Sequence, residues 1–160
     1  MPKAAPVEVP ADLWDTDLVS VYHERYANLV RLAYLVTGQA AIAEEIVQDA
    51  FVAAHRSGDR LREPYAYVRT AVVNGCYSWG RRHKLERERR PRPPDPAELA
   101  ADEMGDALAS LTDRQRAAIV LRFYEDLPDT RIAEILDCRP TTVRTAIHRG
   151  LRSLRHVIDR

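Results

Sequence analysis

Leu127-Pro128-Asp129-Thr130-Arg131-Ile132-Ala133-Glu134-Ile135-Leu136-Asp137-Cys138-Arg139-Pro140-Thr141-Thr142-Val143-Arg144-Thr145-Ala146-Ile147-His148-Arg149 reads as two short helices with a tight break between them. Ile132, Ala133, Ile135 and Leu136 give the first helix an apolar face. Val143, Ile147, Gly150, Leu151, Leu154 and Ile158 recur at helical spacing along the second. The set Thr141, Thr142, Arg144, Thr145, His148, Arg149 and Arg152 is left facing outward. The pattern is that of a helix-turn-helix whose second helix is basic. Arginines on such a face reach guanine edges in a major groove, and threonines touch thymine methyls or phosphates. An amphipathic hairpin that merely solvates its charged face is the alternative. Two details favour nucleic acid: Ala133 is small where two helices must approach, and Asp137 sits at the break, where Asp tolerates a left-handed backbone.

Upstream, Thr112-Asp113-Arg114-Gln115 forms a capping-box start for a helix carrying Ala117, Ala118, Val120, Leu121 and Tyr124. A compact domain of three or four helices is expected from Leu111 to Arg160.

The other residues set bounds. At 160 residues and 46% hydrophobic, the chain suits one ordinary domain or two small ones. No apolar run approaches the roughly 18 residues a membrane helix needs. The start, Met1-Pro2-Lys3-Ala4-Ala5-Pro6, lacks a signal-peptide pattern, so a cytoplasmic location is expected. Cys76 and Cys138 have no second Cys or His at ligand spacing, so neither a metal nor another cofactor is expected. No Ser, His and acid share the spacing or Gly-rich turn of nucleophilic catalysis, so no catalytic residue is assigned and the chain is not expected to be an enzyme.

Net charge is zero, but its distribution is uneven. Leu61 to Arg92 holds nine basic residues against Glu63, Glu86 and Glu88, a net of +6. Pro93 to Ser110 carries Asp95, Glu98, Asp102, Glu103 and Asp106 with no Lys or Arg. Pro91, Pro93, Pro94 and Pro96 crowd its beginning, which forbids a continuing helix and predicts a flexible, acidic, Pro-rich linker over 91–108. Residues 1–14, with Pro2, Pro6 and Pro10, are expected to be disordered. The fold class is all-α, with two small helical domains at 15–90 and 109–160.

In the front half, Leu18, Val21, Tyr22, Tyr26, Leu29, Val30, Ala33 and Tyr34 recur at three and four, as do Ile42, Ile46, Val47, Ala50, Phe51 and Ala54. Thr37-Gly38 and Ser57-Gly58-Asp59 end these two helices, and Pro64 stands at the first turn of a third. That third helix sets Tyr65, Tyr67, Tyr77 and Trp79 beside Arg69, Asn74, Arg81 and Arg82. Aromatics that stack on unpaired bases and arginines that hold phosphates describe a single-strand surface. Packing of Tyr67, Val68, Ala71 and Val72 into the core, with the arginines simply solvated, is the equal alternative.

The order of these segments resembles the extracytoplasmic-function (ECF) sigma factors of the sigma-70 family, in their actinobacterial form. Tyr26 to Tyr34 followed by Ala43 to Phe51 is similar to the polymerase-binding helices of region 2. Pro64 to Asn74 with the arginine cluster is similar to the promoter-melting segment, and Leu111 to Arg116, Leu121 to Leu127 and the helix-turn-helix are similar to region 4. The resemblance implies a protein that binds core RNA polymerase and directs promoter-specific initiation. It implies that Glu45, Gln48, Asp49 and Val52 contact the clamp helices of the largest polymerase subunit. It places Asn74, Tyr77, Trp79, Arg81 and Arg82 near the −10 element, and Thr141, Thr142, Arg144, Thr145, His148 and Arg149 on the −35 element. The implied partners are core polymerase, at its clamp helices and flap, promoter DNA, and an anti-sigma protein, which is a different chain and leaves no motif here. No membrane insertion is implied.

Five positions depart from the family pattern. His55 and Tyr67 replace frequent tryptophans and are expected still to pack; Ser78 replaces a frequent acid; Asp137 replaces a frequent Gly; and Ala146 stands where an Arg is frequent, which is expected to remove one DNA contact. The rival readings are a dimeric helix-turn-helix regulator of duplex DNA, which requires a palindromic site, and a helical adaptor that binds protein alone.

Overall fold

The computed structural model describes residues 16–58, 61–89 and 107–159, and among these the architecture is all-α. Helices α1 (Thr16–Thr37), α2 (Ala40–Ser57) and α3 (Pro64–Arg89) form the front half; α4 (Asp113–Phe123), α5 (Asp129–Leu136) and α6 (Pro140–Ile158) form the back. The helices pack as two compact units that divide within α3, between Cys76 and Tyr77. The segments expected to be disordered or linking, 1–14 and 91–106, lie outside the described residues. Residues 107–109, the first two of them assigned to the linker from sequence, form a helical turn. Ala107, Leu108 and Leu111 are buried there, an apolar trio that draws the chain into the fold.

In the first unit α1 packs on α2. The stripe Leu18, Tyr22, Tyr26, Leu29, Val30, Leu32 and Ala33 is buried against Ala43, Val47, Ala50, Phe51 and Ala54. Tyr22 meets Phe51 edge-on at 5.0 Å between ring centroids, the arrangement that ring quadrupoles favour. The α1–α2 break has a clear cause. The buried Thr37 hydroxyl donates to the Ala33 carbonyl at 2.8 Å, and Gly38 turns the chain at φ 74°. Gly75 of α3 lies so close to α2 that a Cβ there would stand 2.8 Å from Ile46 Cγ2, so the contact requires Gly. His55 and Tyr67, expected to pack in place of tryptophans, are both exposed; Tyr67 instead ties α3 to α2 by accepting from the Ser57 hydroxyl at 3.3 Å.

In the second unit α4, α5 and α6 enclose a core of Ala117, Ala118, Val120, Leu121, Ile132, Ala133, Leu136, Val143 and Ile147. The capping box forms as the sequence predicts. The Thr112 hydroxyl accepts from the Gln115 amide at 3.3 Å, and the Thr112 amide donates to Gln115 Oε1 at 3.2 Å. Asp137 adopts φ 50°, ψ 55° after α5. The Cys138 amide reaches the Ala133 carbonyl at 3.0 Å and the Asp137 amide reaches that of Glu134 at 3.4 Å, a Schellman stop that aims α6 across α5. Pro140 follows at the first position of α6, where a missing N–H costs nothing.

Candidate nucleic-acid interface

Nineteen residues of α6 contain no Asp or Glu, and Arg144, His148, Arg149, Arg152, Arg155 and His156 all carry or can carry positive charge. Val143, Ala146, Ile147 and Gly150 are buried. At about 100° per residue, Thr141, Arg144, Thr145, His148 and Arg152 fall on the opposite side of the helix, and all five are exposed. Thr142 is half-buried on one flank and Arg149 is exposed beside it. The Thr145 hydroxyl donates to the Thr141 carbonyl at 3.0 Å, which commits its hydrogen. Its oxygen can still accept, and its methyl remains free for an apolar contact with a base.

Two residues of the stripe differ from expectation. Leu151 is 41% exposed, whereas Ala146 is only 8% exposed. Leu151 lies about 80° from Val143 around the helix, at the margin of the buried arc, and Ala146 lies about 60° away on the other side. Position 146 thus belongs to the buried side of this helix, where a small side chain fits.

One acidic side chain couples the three helices. Asp129, in the first turn of α5, has Oδ1 3.2 Å from a terminal nitrogen of Arg122 on α4 and Oδ2 3.5 Å from Nε of Arg144 on α6. Arg122 is itself held by donating to the Leu127 carbonyl at 3.2 Å. Sequence reasoning assigned no role to Arg122 or Asp129; their spacing to Arg144 is unremarkable until the helices pack. It also missed Arg116, a charged residue buried in α4 at 6% exposure.

On α2, Glu45, Gln48, Asp49 and Val52 follow the spacing of one helical face, and all four are exposed opposite the buried stripe. Gln48 also hydrogen-bonds the Tyr26 side chain. Burial pushes the Tyr26 phenol above its usual range, and that hydrogen bond opposes the shift.

On α3, Asn74, Arg81 and Arg82 are exposed and Tyr77 is half-buried, with the Arg81 guanidinium 5.2 Å above its ring. Trp79, expected near the −10 element, is buried at 8% exposure. The ring stacks on His83 at 4.9 Å, and His83 Nδ1 donates to the Trp79 carbonyl at 2.9 Å. The spacing explains the burial. Trp79 continues the buried series Val68, Val72 and Cys76 and lies about 140° from Asn74 around the helix. Tyr65 is likewise engaged within the chain, with Arg25 at 4.9 Å and Arg69 at 5.3 Å from its ring centre.

Comparison with known proteins places this arrangement. The Sigma-70 region 2 family pattern matches residues 21–86, and the Sigma-70, region 4 pattern matches 101–154. The ECF RNA polymerase sigma factor SigL of Mycobacterium tuberculosis is 30% identical over 151 residues, covering 85% of each chain. The chain belongs to the sigma-70 family, as an ECF sigma factor. The RNA polymerase sigma-E factor of Streptomyces avermitilis is similar too, 28% identical across 84% of this sigma factor and 81% of its own length. Among solved structures, the sigma factor RpoE of Bartonella quintana, in complex with the anti-sigma factor NepR, shares the fold. Its TM-score is 0.68 at 22% identity, over 94% of this sigma factor and 98% of that chain. The SigJ structure from M. tuberculosis gives a TM-score of 0.64 at 25% identity, over 85% of this chain and 52% of the other.

This sigma factor directs promoter-specific transcription initiation, binding core RNA polymerase and promoter DNA, and the dimeric-regulator reading is not favoured. Sigma factors are non-catalytic regulatory subunits. Among the described residues, no helix is long and apolar enough to cross a membrane.

Proposed function

We propose that the two family regions divide the work of initiation, with 15–90 binding polymerase and opening the −10 element, 107–160 reading the −35 element as duplex, and 91–106 linking them. Glu45, Gln48, Asp49 and Val52 offer the clamp helices a polar face with an apolar residue at its end. Their common exposure on α2 supports that role. Asn74, Tyr77, Arg81 and Arg82 hold the unstacked non-template strand. Extruding a base costs a few kcal/mol, which stacking on Tyr77 and phosphate contacts from the arginines offset. Trp79, buried on α3, supports the geometry of that helix rather than a base. Thr141, Thr142, Arg144, Thr145, His148 and Arg149 meet the −35 element, and the acidic linker runs through the polymerase cleft and exit channel. The work is done in the cytoplasm, where the polymerase supplies the chemistry. The anti-sigma factor bound by the Bartonella protein indicates the kind of regulator to seek.

The observation that carries the reading is the outer face of α6, free of acidic groups and opposite a buried stripe. The test is promoter-dependent transcription by purified protein and host core polymerase. Arg144→Ala lowers transcription from a −35-dependent promoter by about 5- to 100-fold, the range for loss of one bidentate base contact, while core binding by size exclusion is unchanged. Loss of core binding, or transcription at the wild-type level, overturns the assignment.

A further inference from the structure

We propose that Asp129 is a positioning residue for promoter readout: it holds the Arg144 guanidinium by its Nε edge, so that the two terminal nitrogens are presented together to a base pair. The inference rests on the proposal that Arg144 reads the −35 element and deepens it.

The geometry is particular. Arg144 is 72% exposed, whereas Asp129 is 17% exposed, with its Oδ1 buried beside Arg122 in an ion pair that is not a hydrogen bond. Its Oδ1 faces Arg122, which is fixed to the Leu127 carbonyl, and its Oδ2 faces Arg144 Nε at 3.5 Å. Arg122 lies on α4, Asp129 on α5 and Arg144 on α6, so one carboxylate stands between side chains of three helices. A pair this exposed contributes little to stability. Its consequence is orientational. A guanidinium is a planar fork, and engaging Nε leaves four N–H donors on the two terminal nitrogens. Two of these match the O6 and N7 acceptors of guanine, and restraining the plane beforehand reduces the freedom lost on binding. An unrestrained Arg144 would instead spread its contacts over phosphates, which carry no sequence information. Within the described part of this region, Asp126, Glu134 and Asp137 are further acids near the hairpin, but the structure pairs only Asp129 with Arg144.

The experiment uses the full chain with host core polymerase and a promoter whose start site has been mapped with the wild-type protein. Each base pair of the −35 element is substituted in turn, and transcription is measured for wild type, Asp129→Ala, Asp129→Asn, Arg144→Ala and the double variant Asp129→Ala/Arg144→Ala. Arg144→Ala identifies the base pair that Arg144 reads as the one where discrimination collapses. Asp129→Ala is expected to lower discrimination at that same base pair by about 3- to 10-fold, and Asp129→Asn, which keeps an oxygen, by less. The double variant is expected to behave as Arg144→Ala alone. Core binding stays at the wild-type value, and each variant is shown by circular dichroism to be folded at the assay temperature. Undiminished discrimination in Asp129→Ala, an equal loss at every base pair, or a further loss in the double variant overturns the proposal. If Arg144→Ala itself changes no base preference, it is the −35 assignment of Arg144 that fails, a result distinguishable from all of these.

Discussion

Replacing Gly150 by Ala tests the packing that orients the recognition helix. A Cβ at Gly150 would stand 2.5 Å from Ile119 Cδ1 and 3.3 Å from Gln115 Cβ, whereas carbon atoms rest at about 3.5–4.0 Å. Either α6 moves away from α4 by about 1 Å or Ile119, only 6% exposed, leaves its rotamer. Overpacking of this kind costs about 1–3 kcal/mol, and Ala in a helix interior recovers about 1 kcal/mol relative to Gly. The net expectation is a loss of about 1 kcal/mol. Amide hydrogen exchange followed by mass spectrometry localises it: protection over Pro140–Ile158 falls about fivefold. Ile119→Val removes the clashing methyl and by itself costs about 0.5–1.5 kcal/mol. Combined with Gly150→Ala it should cost less than the sum of the two, by about 1 kcal/mol. Additivity of the two substitutions, or no change in protection for Gly150→Ala, would refute the claim that α4 and α6 touch through this glycine.

Asp137, exposed at φ 50°, is a second backbone test: Asp137→Gly is expected to raise stability by about 0.5–1 kcal/mol and Asp137→Val to lower it by about 1–2 kcal/mol in thermal melts. A Val variant as stable as the parent would mean that the α5 stop does not depend on the left-handed residue. Tyr26 gives a pH dependence. Its phenol is raised by burial, so the folded chain keeps the proton at a pH where the unfolded chain has lost it. The associated stability is fully present below about pH 10 and is lost as pH rises through the folded value. Urea unfolding at pH 9 to 11 should therefore show a shallower alkaline decline for Tyr26→Phe than for the parent; equal slopes contradict the shift.

Much of this architecture was legible because helices write their buried face at spacings of three and four. The capping box at Thr112, the stop at Asp137 and the exposed face from Thr141 to Arg152 all follow from local rules, since a cap, a left-handed turn and a helical stripe involve only near neighbours in sequence. The residues whose burial was hardest to read are those at which two local signals competed. Trp79 reads as an aromatic among arginines, but its spacing from Val72 and Cys76 puts it in the buried series. Leu151 reads as core by composition, yet it falls at the edge of the arc that α4 and α5 cover.

The sequence by itself determined the all-α class, the positions of the helices, the family, and which side of α6 stays exposed. Only the tertiary structure decided that Asp129 stands between Arg122 and Arg144, that Gly150 is pressed on Ile119 and that Gly75 is pressed on Ile46. The physical reason is distance along the chain. Residues within a turn of each other share a face whatever their surroundings, but contacts between helices depend on crossing angle and approach. Those are set by the sum of all packed side chains, and no single stretch of sequence carries them.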